Sequence, residues 1–300
     1  MDTKKFKAPL SHQINPGHSA CAGCGEIIAA RLLMDAAGLN TIVTNATGCS
    51  EVTTTQYPMT AFKMPWIHSL FENSSSVASG ILAALKYKKE DGDINIIAVG
   101  GDGATFDIGI GQISGMWERG ENILYVCYDN EAYQNTGYQS SGSTPLDANT
   151  STTPPGKKSF GSQQAKKDMV QIALGHHLPY VATATMGYPM DVTNKVKKAL
   201  SIKGPKYLQL YTSCVPGWGI EPKDSINVAR LAVQSGFYPI LEYINGELAN
   251  KMKITNQVPI EDFLKPQKRF KHLFASDNGK AEIIKIQEIC DNNIKRFGLV

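Results

Sequence analysis

Ile94-Asn95-Ile96-Ile97-Ala98-Val99-Gly100-Gly101-Asp102-Gly103 opens the stretch that decides the fold, and Tyr128-Asp129-Asn130-Glu131-Ala132-Tyr133-Gln134-Asn135 closes it. The run 94–99 is short, β-branched and apolar, the composition of a strand buried on both faces of a parallel sheet. Gly100 and Gly101 stop it, a helix-like stretch follows, and residues 123–128 form a second apolar strand. In open parallel sheets ligands bind beyond the carboxyl ends of strands, where Asp102 and Asn130 both fall. A cation bridging two phosphates wants hard oxygen ligands. Asp102, Asn130 and the Ala132 carbonyl offer a carboxylate, an amide and a peptide oxygen. Gly101 and Gly103 leave room for bulky phosphates, and a helix opening near Asp107 turns free N–H groups toward negative charge. Alone, Gly-Asp-Gly also makes an ordinary strand-to-helix turn; the second strand and Asn130 at this interval carry the diphosphate reading.

Working outward, helical patterns at 27–37 and 75–87 precede these strands, and segments 163–175, 180–185, 190–202 and 206–211 continue the alternation. They predict an α/β fold: a doubly wound, mainly parallel sheet carrying a diphosphate-binding module, with a helical C-terminal extension. Residues 1–223 are expected to form the binding domain. Residues 224–300, with helical patterns at 225–235 and 280–296, are expected to pack on it and make subunit contacts. No internal repeat is visible.

Composition narrows the class. With 300 residues, 42% hydrophobic and 19% charged, the chain can bury a large core. A net charge of only +3 without a basic, aromatic-interleaved stripe argues against nucleic-acid binding. Segment 1–7 is charged but lacks the apolar stretch of a signal peptide, and no apolar run is long enough for a bilayer, so a cytoplasmic protein without membrane contact is expected.

Six cysteines lie at 21, 24, 49, 127, 214 and 290. Cys21-Ala22-Gly23-Cys24 stands before any sheet strand, unlike a thioredoxin-type dithiol, which follows one. Cys49 follows the strand-like 41–44 and Cys214 the strand-like 206–211, so both belong on the sheet edge of Asp102 and Asn130, where the close pair can complete four ligands. Cys127 sits inside an apolar strand and Cys290 on a helical pattern, both positions for a small buried hydrophobe. Thiolate chemistry alone leaves an iron–sulfur cluster and a structural zinc both open for Cys21, Cys24, Cys49 and Cys214.

The Gly101-Asp102-Gly103 and Asn130 interval resembles the thiamine diphosphate signature. Five motifs in order make the resemblance specific: 18–26, 46–52, Pro65-Trp66-Ile67-His68, Gly101-Asp102-Gly103 and 129–137. Together with the tail 265–271 they are similar to the β subunit of 2-oxoacid:ferredoxin oxidoreductases, with the pyruvate-specific enzymes nearest. The resemblance implies that Cys21, Cys24, Cys49 and Cys214 hold one [4Fe–4S] cluster and that Asp102, Asn130 and Ala132 hold Mg²⁺. It implies a thiamine diphosphate site built from Glu26, Cys49, Gly101, Asp102, Gly103, Ala104, Asn130, Glu131, Ala132, Tyr133, Gln134 and Asn135, with Asn135 facing the thiazolium and substrate as the catalytic residue. Where many members carry Thr, this chain has Asn130; either side chain offers an oxygen.

The implied reaction is reversible oxidative decarboxylation of pyruvate to acetyl-CoA and CO₂, the cofactor acting as electron sink and electrons passing singly to the cluster and then to ferredoxin. In such enzymes the glutamate that activates the aminopyrimidine ring belongs to a second domain. Only one diphosphate motif is present here, so an α-type partner subunit is expected, with γ/δ-type subunits or domains bringing further clusters. Two other readings stand beside it: the same machinery acting on oxalate or another 2-oxoacid, and a non-redox thiamine decarboxylase or carboligase subunit with structural zinc. Coenzyme A enters only with a substrate such as pyruvate.

Several segments have alternatives. The Ser/Thr/Gly/Pro-rich stretch 140–164 is a surface linker or, following Asn135 directly, an ordered loop over the cofactor or a subunit contact. His68 lines the site or is a bonded core histidine; His176 and His177 close a helix. The basic run 265–271 reads as a solvated face or a partner-binding arm.

Overall fold

A computed structural model describes residues 12–300, so the charged segment 1–7 lies outside the described residues. Eight strands form one sheet: β1 Thr41–Ala46, β2 Trp66–Ser69, β3 Asn95–Gly101, β4 Leu124–Asp129, β5 Tyr180–Thr185, β6 Lys206–Tyr211, β7 Leu241–Ile244 and β8 Glu247–Lys251. Their order is β2-β1-β3-β4-β6-β5-β7-β8, parallel from β2 through β5 and antiparallel beyond. The helices are α1 Gly25–Ala37, α2 Cys49–Thr54, α3 Ser74–Lys88, α4 Ile110–Glu118, α5 Met169–Gly175, α6 Pro189–Ser201, α7 Val215–Trp218, α8 Ser225–Gln234, α9 Ile260–Leu264 and α10 Asp277–Phe297.

Strand side chains alternate between two cores, because successive residues point to opposite faces. Ile97, Val99, Leu124 and Val126 meet Ala30, Leu33 and Met34 of α1 and Val192 and Val196 of α6. On the other face, Ile96, Ala98, Tyr125 and Cys127 meet Leu82 of α3, Met116 and Trp117 of α4, and Ala173 of α5. The sheet is doubly wound as expected, and each fully buried leucine-sized side chain contributes about 1.5–3 kcal/mol. Cys127 and Cys290 are both fully buried, Cys290 in a third core under the C-terminal helices.

The structure departs from the sequence expectations at four places. The C-terminal region is not purely helical: β7 pairs with β5, and β7 and β8 form a hairpin turning at Asn245 and Gly246, whose φ values of 51° and 84° suit that pair. Within 163–175 the helix starts only at Met169, because the Asp168 side chain accepts the Gln171 N–H and caps it. The helical turn expected near Asp107 begins at Gly103, one residue past Asp102, as a π-helix, Gly103–Ile108. The run 265–271 is not a solvated face throughout, since Gln267, Arg269 and Phe270 are buried.

Segment 140–164 is packed rather than free, with Ser143, Thr144, Asp147, Ala148 and Ser162 buried. No helix among the described residues is long and apolar enough to cross a membrane.

Candidate active site

β1, β3, β4 and β6 are adjacent and parallel, so the chain leaves all four at one edge of the sheet. Cys49, Asp102, Asn130 and Cys214 each lie within three residues of one of those strand ends. Cys49, Asp102 and Asn130 border a cleft of about 240 Å³ whose walls also include Glu26, Gly101, Gly103, Ala104, Ala132, Tyr133, Gln134 and Asn135. Of the expected cofactor contacts, Glu131 alone does not line it. Its carboxylate turns to the other side of the loop, toward Lys166, Tyr211 and Arg269.

The glycines explain how the backbone comes close. A Cβ on Gly101 would meet only open space, the room expected for a ligand. A Cβ on Gly103 would stand 2.2 Å from the Tyr133 ring, so the missing side chain here admits an aromatic wall. Tyr133 in turn donates to the Asp107 carboxylate at 2.9 Å.

Buried carboxylates crowd the ends of β3 and β4. Asp129 pairs with Lys166 at 2.7 Å, and Glu131 pairs with Arg269 at 2.7 Å and Lys166 at 3.2 Å. Burial works against the Glu131 charge, yet Lys166 and Arg269 hold it below the usual carboxylate range. Asp102 has a hydroxyl donor, Ser141, but among the described residues no contacting cation. Burial and the nearby Asp129 charge push its pKa well above the ordinary carboxylate range, making it a weaker acid. Asn130 donates through Nδ2 to Glu26 at 3.0 Å, while its Oδ1 is buried without a partner. Burial pushes Glu26 up to about 7. An unpartnered amide oxygen beside an uncompensated carboxylate is the donor set of a small hard cation. The Asn45 and Gln134 carbonyl oxygens and the Tyr128 hydroxyl, all from residues lining the same cleft, are likewise buried without partners.

Cys49 lines the cleft, and the other expected thiol ligands lie near it. Cys24 immediately precedes α1, Cys49 opens α2, and Cys214 precedes α7, its sulfur accepting the Gly217 N–H at 3.4 Å. Three of the four expected ligands thus sit at helix N-termini, whose partial positive charge favours thiolate. Cys21 joins through its carbonyl, which accepts the Cys24 N–H at 3.0 Å. Burial and then Glu26 push Cys24 up to about 11. Cys49 is pushed higher, by burial, Glu26 and the other three thiols, and Cys214 to about 12 by burial and its thiol neighbours. The thiols are thus close enough to influence one another, while no three His, Cys, Asp or Glu among the described residues are gathered around a single-ion point.

Sequence reasoning did not single out Asn45, Tyr128 or Phe71 as cleft residues. Asn45 and Tyr128 lie on the ends of β1 and β4, a position that could have flagged them. His68 lies on β2 outside the core, partly exposed; it does not itself line the cleft but bonds Thr47, which does, at 2.8 Å. His176 bonds Ile172 and Ser114 near the end of α5, and His177 is exposed.

Comparison with known proteins places these features. Residues 46–210 match the family described as thiamine pyrophosphate enzyme, C-terminal TPP binding domain. The chain is 50% identical over 292 residues to the pyruvate synthase subunit PorB of Methanosarcina barkeri, covering 97% of this chain and 98% of that one. It is 41% identical to the ketoisovalerate oxidoreductase subunit VorB of Pyrococcus furiosus, covering 91% and 90%. Its fold is similar to a solved 2-oxoglutarate:ferredoxin oxidoreductase from Magnetococcus marinus, with a TM-score of 0.58 at 22% identity over 73% of this chain and 79% of that one.

Proposed function

Because the chain belongs to the PorB family of thiamine pyrophosphate-dependent 2-oxoacid:ferredoxin oxidoreductase subunits, we propose that it is the cofactor-holding subunit for reversible oxidation of pyruvate to acetyl-CoA and CO₂, with ferredoxin as acceptor. The observation that carries this reading is the pairing of the uncompensated Asp102 carboxylate and the partnerless Asn130 oxygen with four thiols at one sheet edge. In it, Asp102, Asn130 and the Ala132 carbonyl hold Mg²⁺, and Gly101 to Ala104 carry the diphosphate. Cys21, Cys24, Cys49 and Cys214 hold one [4Fe–4S] cluster, the reading that a ferredoxin-linked reaction favours over a structural zinc. Bound thiamine diphosphate supplies the electron sink for loss of CO₂. Asn135, on the cleft wall, orients the 2-oxoacid, and Glu26 fixes the Asn130 amide.

A multi-subunit enzyme fits the exposed apolar residues Val52, Tyr57, Met59 and Leu70, which come from the segments on either side of β2. We assign this face to an α-type subunit that brings the activating glutamate, and further clusters to γ/δ-type subunits. Residues 224–300 are read as an extension of residues 1–223, since β7 joins their sheet. The VorB relative supports a branched 2-oxoacid as second substrate reading. The test is viologen reduction by the purified native complex with each 2-oxoacid, with and without coenzyme A. Coenzyme A-dependent turnover favouring pyruvate is expected; oxalate turnover without coenzyme A overturns the assignment, as does a colourless, zinc-containing preparation.

A further inference from the structure

Glu131 stands between the two residues assigned to the cation, and its backbone is left-handed, with φ 67° in a fully buried non-glycine residue. Such a conformation persists only where its surroundings over-determine it. Here they do so from the far end of the chain. The Arg269 guanidinium donates to Glu131 at 2.7 Å, beside Tyr211 at 3.0 Å and Lys166 at 3.2 Å. The same guanidinium lies over the Trp218 ring at 4.0 Å, and Trp218 Nε1 donates to the Asn130 carbonyl at 2.9 Å. Arg269 is itself fixed: its Nε donates to Gln267 at 2.8 Å, and its carbonyl accepts the Asn149 N–H at 2.9 Å. Guanidinium, Glu131 carboxylate, the Asn130–Glu131 backbone and the Trp218 indole form a closed ring of contacts.

We infer that Arg269 is a positioning residue for the cation loop: through Glu131 and Trp218 it holds the Asn130 side-chain oxygen and the Ala132 carbonyl aimed into the cleft. The inference deepens the cation site assigned above and rests on it. An arginine suits the task because one planar group pairs with a carboxylate by its edge and covers an aromatic ring by its face; lysine can do only the first. Outer contacts of this kind are worth roughly 10–100-fold in metal affinity.

The test uses the assembled complex depleted of cofactor and titrated with Mg²⁺ at saturating thiamine diphosphate, with iron per chain and visible absorbance measured on the same samples. Arg269→Met is expected to raise the Mg²⁺ dissociation constant by roughly 10–100-fold with iron content unchanged, and Arg269→Lys to recover part of the loss. Parent-like Mg²⁺ affinity in Arg269→Met overturns the inference. Should that variant fail to assemble, Arg269→Lys decides by the same titration: weakened affinity supports the inference and parent-like affinity overturns it. Asp102→Asn runs beside them. If it loses Mg²⁺ while Arg269→Met keeps it, the positioning role alone has failed; if Asp102→Asn also binds as the parent does, the cation site itself has failed.

Discussion

Gly25→Ala separates the two halves of the thiol wall by a single methyl group. Gly25 is the first residue of α1, next to Cys24, and its N–H donates to the Ser213 carbonyl at 3.1 Å, next to Cys214. A Cβ at position 25 would stand 2.6 Å from the Ser213 nitrogen, 2.7 Å from its carbonyl oxygen and 2.8 Å from its hydroxyl. Two of these are backbone atoms, so no side chain can swing aside, and the segments must part by several tenths of an ångström. Overpacking of this kind costs about 1–3 kcal/mol, and the strained hydrogen bond about 1 more. The parting also moves the Cys24 and Cys214 sulfurs relative to one another, so iron per chain should fall along with stability. Gly80→Ala is the control. Gly80 lies in α3 with nothing near its Cβ, and alanine there should stabilise by about 0.5–1 kcal/mol. Urea unfolding and iron analysis of both variants decide the matter. Gly25→Ala with parent-like stability and full iron would refute the claim that close backbone contact at Ser213 sets the thiol spacing.

Replacing Cys49 or Cys214 by Ser should strip iron and visible colour, whereas Cys290→Ser, in the C-terminal core, should lower stability and leave iron per chain intact; metal analysis separates the outcomes. Burial lowers the Lys206 ammonium to about 8, although it donates to Asn122 at 2.7 Å and to Ile202 at 3.1 Å. Because the folded value lies below the unfolded one, the unfolded chain binds more protons between about pH 8 and 10.5, and stability rises with pH in that window. The stability of the parent relative to Lys206→Met should therefore increase between pH 8 and 10.5 in paired urea titrations, and a flat difference would contradict it. At the hairpin, Gly246→Ala forces a side chain into φ 84° and should cost about 1 kcal/mol, read from the urea midpoint.

Most of the fold was legible because its signals are local. Strands 180–185 and 206–211 fall where the apolar runs lie, and the 94–103 stretch turns from strand to helix at its glycines. The β7–β8 hairpin was missed in favour of helices: its one signal is the Asn245-Gly246 pair, while its flanking residues alternate weakly and one strand is exposed. Arg269 could not have been read in advance, since a basic residue among four other charged or polar residues of the run 265–271 looks solvated until a distant carboxylate buries it. Glu131 was misleading for the converse reason. Its place within the motif says that the loop needs it, not which way its side chain turns.

By itself the sequence determined the residue types of the site and the strand ends that carry them, because turn chemistry, apolar alternation and the donor needs of a cation are written in short stretches. Only the tertiary structure decided which of these groups share the cleft, that among the described residues no cation contacts Asp102 while Asp129 and Glu131 have theirs, and that the C-terminal segment braces the loop from behind. Burial and pairing depend on residues more than a hundred positions apart in sequence, as Glu131 and Arg269 are, and no local pattern encodes that separation.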